Sequence, residues 1–240
     1  MVHALIFAGG TGLRMNAKSK PKQFLELHGK PVIIYTIEIF ERHSEVDDII
    51  VACLENWIPE LQFQLQKNLI KKVRTIVPGG KTGHDSITNG LIAMQAFAKS
   101  NDIVLIHDGV RPLIRDEIIT QNINAVRTYG SAITSSPALE TEIRVEELTR
   151  IIEEVPARAN MYTAKAPQSF YYGDVLEVHK KAEKTGFKAI DSVDLFNHFG
   201  RRDLHIVPCS RYNLKITEPA DYYMFRALYE AMENEQIGDI

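Results

Sequence analysis

The stretch that decides the fold lies at residues 4–15 and reads ALIFAGGTGLRM. Its first part, residues 4–7, is a short apolar run, which predicts a buried strand. The glycines that follow, Gly9, Gly10 and Gly12, permit backbone angles closed to other residues and leave no side chains to block a bound group. Because backbone N–H groups in such a loop converge on an anion, the stretch predicts a strand that leads into a phosphate-binding loop.

Two cations lie close to this loop in sequence. Arg14 follows the last glycine, and Lys22 belongs to the segment KPKQ at residues 20–23. A Walker loop would end in Gly-Lys-Ser/Thr, and a dinucleotide fingerprint would carry a glycine where Met15 stands. The combination predicts a polyphosphate site of another kind, and the alternative is a glycine turn at a strand end with surface cations.

The composition is that of an ordinary globular protein. The chain has 240 residues, of which 45% are hydrophobic and 25% charged, so one large α/β domain or a domain with an appendage is expected. The formal net charge of −3 provides no overall basic field. Duplex nucleic acid is therefore not expected as the main partner.

Membrane and cysteine patterns narrow the class further. No apolar stretch approaches the roughly 18 residues of a membrane span, so no membrane partner is expected. The chain enters a strand at once, which predicts no signal peptide and a cytoplasmic location. Cys53 and Cys209 lie far apart in apolar runs, which predicts buried free thiols rather than a disulfide or a metal site.

Strand-like and helix-like segments alternate along the chain. This order is typical of a Rossmann-like α/β fold with a mostly parallel, twisted sheet flanked by helices. Further strands are predicted at 49–53, 73–77, 103–106 and 204–207, and helices at 31–43, 56–68, 83–99, 115–129, 173–185, 191–199 and from Glu218-Pro219 onward.

One region interrupts that order. Residues 136–170 contain short extended pieces, and the runs at 140–145 and 150–155 are predicted to pair as strands. Long structureless loops are uncommon in compact domains. We therefore predict a single domain over residues 1–240 with a β-arm inserted at 136–170, the alternative being a long surface loop.

Ligands of open parallel sheets bind outside the carboxyl ends of the strands. Besides the first loop, a segment with Gly79, Gly80 and Ser86 follows a predicted strand. Ser86 is expected either to contact a base or to cap the following helix.

Two further segments at strand ends carry charge. Asp108, at the end of a buried strand, is a candidate Mg²⁺ ligand, because this cation prefers one or two carboxylates plus phosphate oxygens. Arg111 offers a fork for a phosphate, or else forms a structural pair with Asp108. His107 is expected to be packed rather than catalytic. Lys215 lies in an apolar segment and needs either an anion or a route to the surface.

Six ordered motifs resemble the cytidylyltransferases that act on 2-C-methyl-D-erythritol 4-phosphate or on ribitol 5-phosphate. The likeness covers almost the whole chain, and six motifs in order are far more specific than any one of them. They are AGGTGLRM at 8–15, PKQ at 21–23, GG at 79–80 with DS at 85–86, HDGVRP at 107–112, APQ at 166–168 and NLKIT at 213–217.

The resemblance implies a nucleotidyltransferase that uses CTP and Mg²⁺, transfers CMP to a polyol phosphate and releases pyrophosphate. It assigns Arg14, Lys22 and Lys215 to the triphosphate and the transition state, and Asp108 to the metal. The nucleotide-binding set that it implies is Ala8, Gly9, Gly10, Thr11, Gly12, Gly79, Gly80, Ser86, Asp108 and Gly109.

The resemblance also implies where the acceptor binds. The acceptor-binding residues are expected to be Arg111, Thr141, Arg158 and Asp191. The arm resembles one that crosses to a second subunit, so a homodimer is expected in which Thr141 and Arg158 complete the neighbour's site.

Some positions depart from the family pattern. Ala166 stands where a threonine is frequent, Lys81 stands where an acidic or polar residue is common, and residues 190–193 read IDSV. Together with Trp57 and the run RANMY at 158–162, the last departure favours D-ribitol 5-phosphate as acceptor and CDP-ribitol as product. The alternatives are the methylerythritol phosphate enzyme of isoprenoid biosynthesis, a nucleotidyltransferase for UTP or a sugar 1-phosphate, and a non-catalytic nucleotide-binding protein.

Overall fold

The computed structural model describes residues 1–10, 20–200 and 203–234. Its strands, numbered in chain order, are β1 (Val2–Ala8), β2 (Glu26–Leu27), β3 (Lys30–Pro31), β4 (Asp48–Cys53), β5 (Val73–Pro78), β6 (Ile103–Asp108), β7 (Ser131–Pro137), β8 (Arg144–Val145), β9 (Ile152–Glu154), β10 (Tyr162–Tyr171) and β11 (Ile206–Pro208). Its α-helices are α1 (Val32–Arg42), α2 (Ile58–Lys67), α3 (Gly83–Met94), α4 (Asp116–Tyr129), α5 (Tyr172–Thr185), α6 (Ser192–Phe199) and α7 (Pro219–Glu233).

The main sheet runs in the order β11-β7-β10-β6-β1-β4-β5. Strand β10 is antiparallel to both of its neighbours, whereas the other pairs are parallel. All six residues of β4 and of β6 are buried, as expected for strands that are covered by helices on both faces. The predicted mostly parallel α/β sheet is confirmed.

Helices cover both faces of this sheet. One face packs against apolar side chains of α1, α2 and α4, and the other against those of α3, α5 and α6. A third cluster joins Phe225 of α7 to Tyr35 of α1 and to Ile216. This last cluster anchors the 213–217 segment close to the end of β6, because Ile216 N donates to Val110 O at 2.9 Å.

The boundaries of two predicted elements differ. Helix α3 ends at Met94 rather than at residue 99, and the strand expected at 204–207 begins at Ile206. Phe97, which the helical pattern included, instead packs under the Arg74 guanidinium at 4.0 Å and beside the His3 ring. Tertiary packing therefore ends the helix before its apolar periodicity does.

The arm is shorter than predicted. The expected bounds 136–170 include the end of β7 and most of β10, which pair with each other in the main sheet from Tyr162–Pro137 to Phe170–Ser131. The residues that leave the sheet are thus 138–161. Within them β8 and β9 form the predicted antiparallel pair, and Leu148 at its tip is 89% exposed.

Two other expectations concern cysteines and membranes. Cys53 is buried as predicted, whereas Cys209 is only half-buried because it follows the short edge strand β11. Over the ranges that the structure describes, no helix combines the length and apolarity that a bilayer crossing requires.

A buried charge network lies at the opposite, amino-terminal end of the central strands. The His3 ring contacts Asp48 at 2.5 Å and Asp102 at 3.3 Å. Burial opposes a charge on this ring, but hydrogen bonds and the negative charges of the two aspartates outweigh it and raise the pKa of His3.

Candidate active site

Two glycine turns touch each other at the carboxyl ends of β1 and β5. A Cβ built on Gly79 would lie 2.6 Å from the Gly9 Cα, and a Cβ built on Gly9 would lie 2.3 Å from the Ser86 Oγ. The Gly79 N–H donates to the Cys53 carbonyl at the end of β4 at 2.6 Å. Since any side chain at these positions would push against backbone, the glycines are required here by close approach of the two turns.

Ser86 lies beneath this contact. It is fully buried, its hydroxyl donates to the Thr82 carbonyl at 2.9 Å, and it accepts from the Gly80 N–H at 3.0 Å. The expectation that Ser86 caps the helix is wrong, because Thr82 and Asp85 form the capping box of α3. Ser86 instead fixes the shape of the Gly80 turn from inside.

Gln23 holds the start of the first glycine loop, a role that sequence reasoning missed. Its buried amide donates to the carbonyls of Ala8 at 2.7 Å and of Gly10 at 3.2 Å. A glutamine directly after Lys22 carried no signal of its own, because its two acceptors are backbone atoms more than ten residues earlier.

Some of the predicted residues lie outside the described ranges. These are Thr11, Gly12 and Arg14. Lys22, which follows, begins a short 3-10 helix, Lys22–Phe24. Although burial opposes it, hydrogen bonds from the Glu218 and Thr217 N–H groups and, after them, the charge of Lys22 lower the pKa of Asp221 at the start of α7.

A cleft of about 590 Å³ opens beside the glycine turns. We call it the glycine cleft; it is lined by Pro21, Trp57, Gly79, Gly80, Lys81 and residues 54–56. The Trp57 ring packs on Phe24 with ring centroids 4.6 Å apart. The cleft therefore combines exposed backbone with an aromatic edge and one lysine.

Asp108, at the end of β6, is held between two cations. Its Oδ2 accepts from Arg111 Nε at 2.7 Å, and its Oδ1 lies 2.5 Å from Lys215 Nζ. Burial alone would raise the pKa of this carboxyl, but the charges of Arg111 and Lys215 and their hydrogen bonds hold it well below its usual range. Asp108 is thus an anion at any physiological pH.

Arg111 is buried and forms bonds to both a carboxylate and the backbone. Besides its bond to Asp108, its Nη1 donates to the Asn213 carbonyl at 2.9 Å. The structural pair that was the alternative for Arg111 is present, and the same side chain borders the cavity described next.

A second cavity, of about 330 Å³, lies at the carboxyl end of β6 and reaches from Phe7 of β1 and the start of α3 on one side to β10 on the other. We call it the aspartate cavity; its charged lining residues are Asp108, Arg111, Lys165, Asp191 and Lys215. It brings together side chains from β6, from β10, from the start of α6 and from the 213–217 segment, which are far apart in sequence.

Asp191 has two tasks at this wall. Its Oδ1 caps α6 by accepting from the Asp194 N–H at 3.0 Å, and its Oδ2 accepts from the Gln168 amide at 2.9 Å. The Gln168 Oε1 in turn accepts from the Ser192 N–H at 3.1 Å. Gln168 therefore locks the Asp191 carboxylate to strand β10.

His107, one residue before Asp108, is not part of the cavity. It is fully buried against Phe40, with ring centroids 5.0 Å apart. Burial lowers its pKa to about 4, so the ring is neutral at pH 7. This agrees with the packing role predicted from the sequence.

Residues 2–230 match the family model described as "IspD: 2-C-methyl-D-erythritol 4-phosphate cytidylyltransferase". The chain belongs to the IspD family of cytidylyltransferases. It is 48% identical over 235 residues to the ribitol-5-phosphate cytidylyltransferase of Vibrio parahaemolyticus serotype O3:K6, covering 98% of each chain. It is 36% identical over 236 residues to the 2-C-methyl-D-erythritol 4-phosphate cytidylyltransferase of Geotalea uraniireducens, covering 98% of this chain and 99% of that relative.

A solved structure shares the fold of this IspD-family enzyme. The 4-diphosphocytidyl-2C-methyl-D-erythritol synthase of Anaerococcus prevotii DSM 20548 superposes with a TM-score of 0.83 at 27% identity, with 96% of each chain covered. The nucleotidyltransferase-type fold and the enzyme class inferred from the six motifs are confirmed.

Within this cytidylyltransferase, most of the predicted site residues that lie in the described ranges meet at one edge of the sheet. Gly9, Gly79, Gly80 and Ser86 shape the glycine cleft, and Asp108, Arg111, Asp191 and Lys215 border the aspartate cavity. Ala8 and Gly109 lie between the two, where a Cβ built on Gly109 would lie 2.9 Å from the Ala8 Cβ.

Two of the predicted acceptor-binding residues lie on the arm and not at the aspartate cavity. Thr141 and Arg158 are exposed on the arm, and Arg158 Nη1 donates to the Leu139 carbonyl of the same arm at 3.3 Å. Neither is among the residues that border the aspartate cavity. A single chain of the cytidylyltransferase does not bring them to Asp108.

The residues at Asp108 suit a divalent cation that is bound mainly through phosphate oxygens. No group of three or more histidine, cysteine or acidic side chains gathers around one point in the part of the chain that the structure describes. Mg²⁺ takes one or two carboxylates and completes its shell with phosphates and water. Asp108, an ionised carboxylate whose two oxygens contact Arg111 and Lys215 here, fits that donor set as a single protein ligand.

Proposed function

We propose that the enzyme transfers CMP from CTP to D-ribitol 5-phosphate, forming CDP-ribitol and pyrophosphate. The choice of acceptor rests on the difference in sequence identity between this chain and two groups of relatives. Relatives named ribitol-5-phosphate cytidylyltransferases are 48% identical to this chain over nearly their whole length, whereas those named for methylerythritol phosphate reach 33% to 36%. Trp57 and the IDSV run at 190–193 point the same way.

The reaction needs positioning more than acid–base chemistry. One oxygen of the acceptor phosphate, already anionic at neutral pH, forms a bond to the α-phosphorus of CTP. The bond from that phosphorus to the β-bridging oxygen breaks, and pyrophosphate leaves with the electron pair. No proton is transferred and no covalent enzyme intermediate forms, so electrostatic stabilisation carries the catalysis.

The cations of the site supply that stabilisation. Two anions must approach each other, and Arg14, Lys22 and Lys215 reduce their repulsion and neutralise charge on the bridging oxygen. Lys215 is suited to this because its side chain is 39% exposed at the cavity although it is anchored on Asp108. An anchored ammonium group with one open side stabilises a developing charge at little reorganisation cost.

We further propose that Mg²⁺ is held by Asp108 together with nucleotide phosphates. When bound, it would neutralise phosphate charge and orient the triphosphate. Asp108 keeps its negative charge for this ligand because Arg111 supports it from the buried side.

A homodimer in which the arm completes the neighbour's site would account for the position of Thr141 and Arg158. The arm also exposes a row of apolar side chains that a partner surface would cover. They are Leu139, Ile143, Leu148, Ile151, Ile152 and Val155.

The test is a side-by-side assay of pyrophosphate release with CTP and Mg²⁺, offering D-ribitol 5-phosphate and 2-C-methyl-D-erythritol 4-phosphate. We expect kcat/KM for ribitol 5-phosphate to be higher by at least about a hundredfold, since a site built for given hydroxyls rejects their absence strongly. A higher kcat/KM for methylerythritol phosphate would overturn the assignment of the acceptor. UTP, ATP and GTP in place of CTP, and a sugar 1-phosphate as acceptor, complete the screen.

A further inference from the structure

Lys165 is the charged residue of the aspartate cavity to which the family resemblance assigns no role. It lies on β10 and its Nζ donates to the carbonyls of Arg211 and Asn213, at 3.2 Å each. Both acceptors are neutral and both bonds are long for an ammonium donor. Among the described residues, no carboxylate pairs with Lys165 in a salt bridge, although its side chain is half-buried.

The carboxylates that border the same cavity already have partners. Asp108 is shared by Arg111 and Lys215, and Asp191 is held by Gln168 and by the backbone of α6. Lys165 and Arg111 donate to the same Asn213 carbonyl, so two cations lie side by side. Burial, and after it the charge of Arg111, lowers the pKa of Lys165. A half-buried ammonium without an anion is unfavourable, which indicates that an anion arrives from outside.

The position of Lys165 tells which substrate carries that anion. In the sheet order, β10 lies beyond β6, whereas the glycine turns follow β1 and β5 on the other side of β6. An anion at Lys165 therefore lies on the side of Asp108 that faces away from the glycine cleft. In the proposed reaction the nucleotide extends from the glycine turns to Asp108 and Lys215, so an anion at Lys165, on β10 beyond them, is that of the second substrate.

We propose that Lys165 binds the phosphate group of the acceptor and is a specificity-determining residue for phosphorylated acceptors. This inference rests on the proposed cytidylyl transfer to a polyol phosphate. An ammonium group makes strong charge-assisted hydrogen bonds to phosphate oxygens. From β10 it would hold the acceptor phosphate on the flank of the cavity opposite to the glycine turns.

A purely structural role is the competing explanation. Lys165 could simply tie the 210–213 turn to β10 through the two carbonyls. The two roles differ in what they require, because tying the turn needs only a donor, whereas binding a phosphate needs the positive charge.

Three substitutions separate charge from donor. K165Q keeps an N–H donor but removes the charge, K165R keeps both, and K165M removes both; K180M, at an exposed lysine of α5, is the matched control. We expect K165Q and K165M to raise the acceptor KM about tenfold to a hundredfold, with the CTP KM within about twofold of wild type. K165R should recover most of the acceptor affinity and K180M should match wild type.

Inorganic phosphate provides a direct probe. It should inhibit wild type and K180M competitively against the acceptor, and K165Q should need at least about tenfold more phosphate for the same inhibition. Thermal melting of each variant shows whether the turn is intact. If K165M unfolds, the acceptor KM of K165Q and the phosphate titration still show whether the charge of Lys165 binds the acceptor phosphate.

The outcomes are distinguishable from a failure of the proposed function. If the wild-type enzyme released no pyrophosphate with any of the polyol phosphates tested, the proposed reaction itself would be overturned. An active wild type with an unchanged acceptor KM in K165Q, or with equal increases in both KM values, would overturn only the role of Lys165.

Discussion

The glycine cleft and the aspartate cavity flank the same strand end, yet they are built from different materials. The cleft is shaped by backbone, with Gly9 and Gly79 so close that neither tolerates a Cβ. The cavity is shaped by side-chain charges, with Asp108 held between Arg111 and Lys215. The glycine cleft should therefore be disrupted by adding a side-chain atom, whereas the aspartate cavity should be disrupted by removing a charged group.

The largest effect is expected from a cation that serves the reacting phosphates. Lys22→Ala should lower kcat by about 100- to 1000-fold, or ~3–4 kcal/mol, because it removes one preorganised donor to the transition state. Steady-state pyrophosphate release measures it. The control is Lys20→Ala, two residues earlier, whose exposed pair with Glu26 contributes little. Near-normal turnover in Lys22→Ala would contradict the role of this cation.

In the proposed homodimer, the arm contributes Arg158 to the acceptor side of the second subunit's aspartate cavity. Arg158→Ala should raise the acceptor KM about tenfold to a hundredfold, since it removes a charge-assisted hydrogen bond, while the CTP KM stays nearly constant. Equal effects on both substrates would exclude an acceptor-side role.

Mixing variants tests whether that arginine acts across subunits. Inactive Lys22→Ala chains combined with Arg158→Ala chains should regain part of the activity, because one of the two sites in a heterodimer then carries both wild-type residues. No recovery after verified subunit exchange would indicate sites built within one chain.

The glycine cleft should be disrupted by the addition of a single methyl group. Gly79→Ala places a Cβ 2.6 Å from the Gly9 Cα, and overpacking against backbone typically costs ~1–3 kcal/mol. We expect the CTP KM to rise about tenfold with a smaller change in the acceptor KM, and the melting temperature to fall. A variant whose CTP KM equals that of wild type would show that the two turns separate freely.

The smallest effect concerns the other end of the strands, far from both sites. The pKa of His3 is raised in the folded state, so its contribution to stability is fully present below pH 6.5 and is lost as the pH rises through the raised value. This contribution amounts to ~1.4 kcal/mol for each pKa unit of difference. Denaturant unfolding between pH 5.5 and 8.5 should therefore show a steeper loss for wild type than for His3→Gln, with KM values unchanged; parallel curves would refute it.

The features that were predictable from sequence share a local origin. Each of these segments could be interpreted from its own residues. They are the run at 4–7, the glycines after it and the charged segments at 107–112 and 213–217. Because parallel strands end at one edge of a sheet, Asp108 and Gly79 were expected at the same edge, whereas the order of the strands between them was not predictable.

What sequence reasoning missed depends on contacts between distant segments. Gln23 matters because of two carbonyls at the start of the first glycine loop, and Lys165 matters because β10 runs antiparallel beside β6. The arm bounds were set too wide because β7 and β10 pair over a greater length than the irregular sequence indicates. The local sequence of a strand does not indicate which other strand it will pair with.

Gln23 has a mechanical consequence. It sits next to Lys22 in a rigid helical turn and grips the strand end and the loop with one amide. The backbone that carries Lys22 is thus tied to residues 8–10 through one neighbouring side chain. In the proposed reaction, an enzyme without the Gln23 amide would keep every charge and every glycine, and we expect it to position them poorly around the α-phosphorus of CTP.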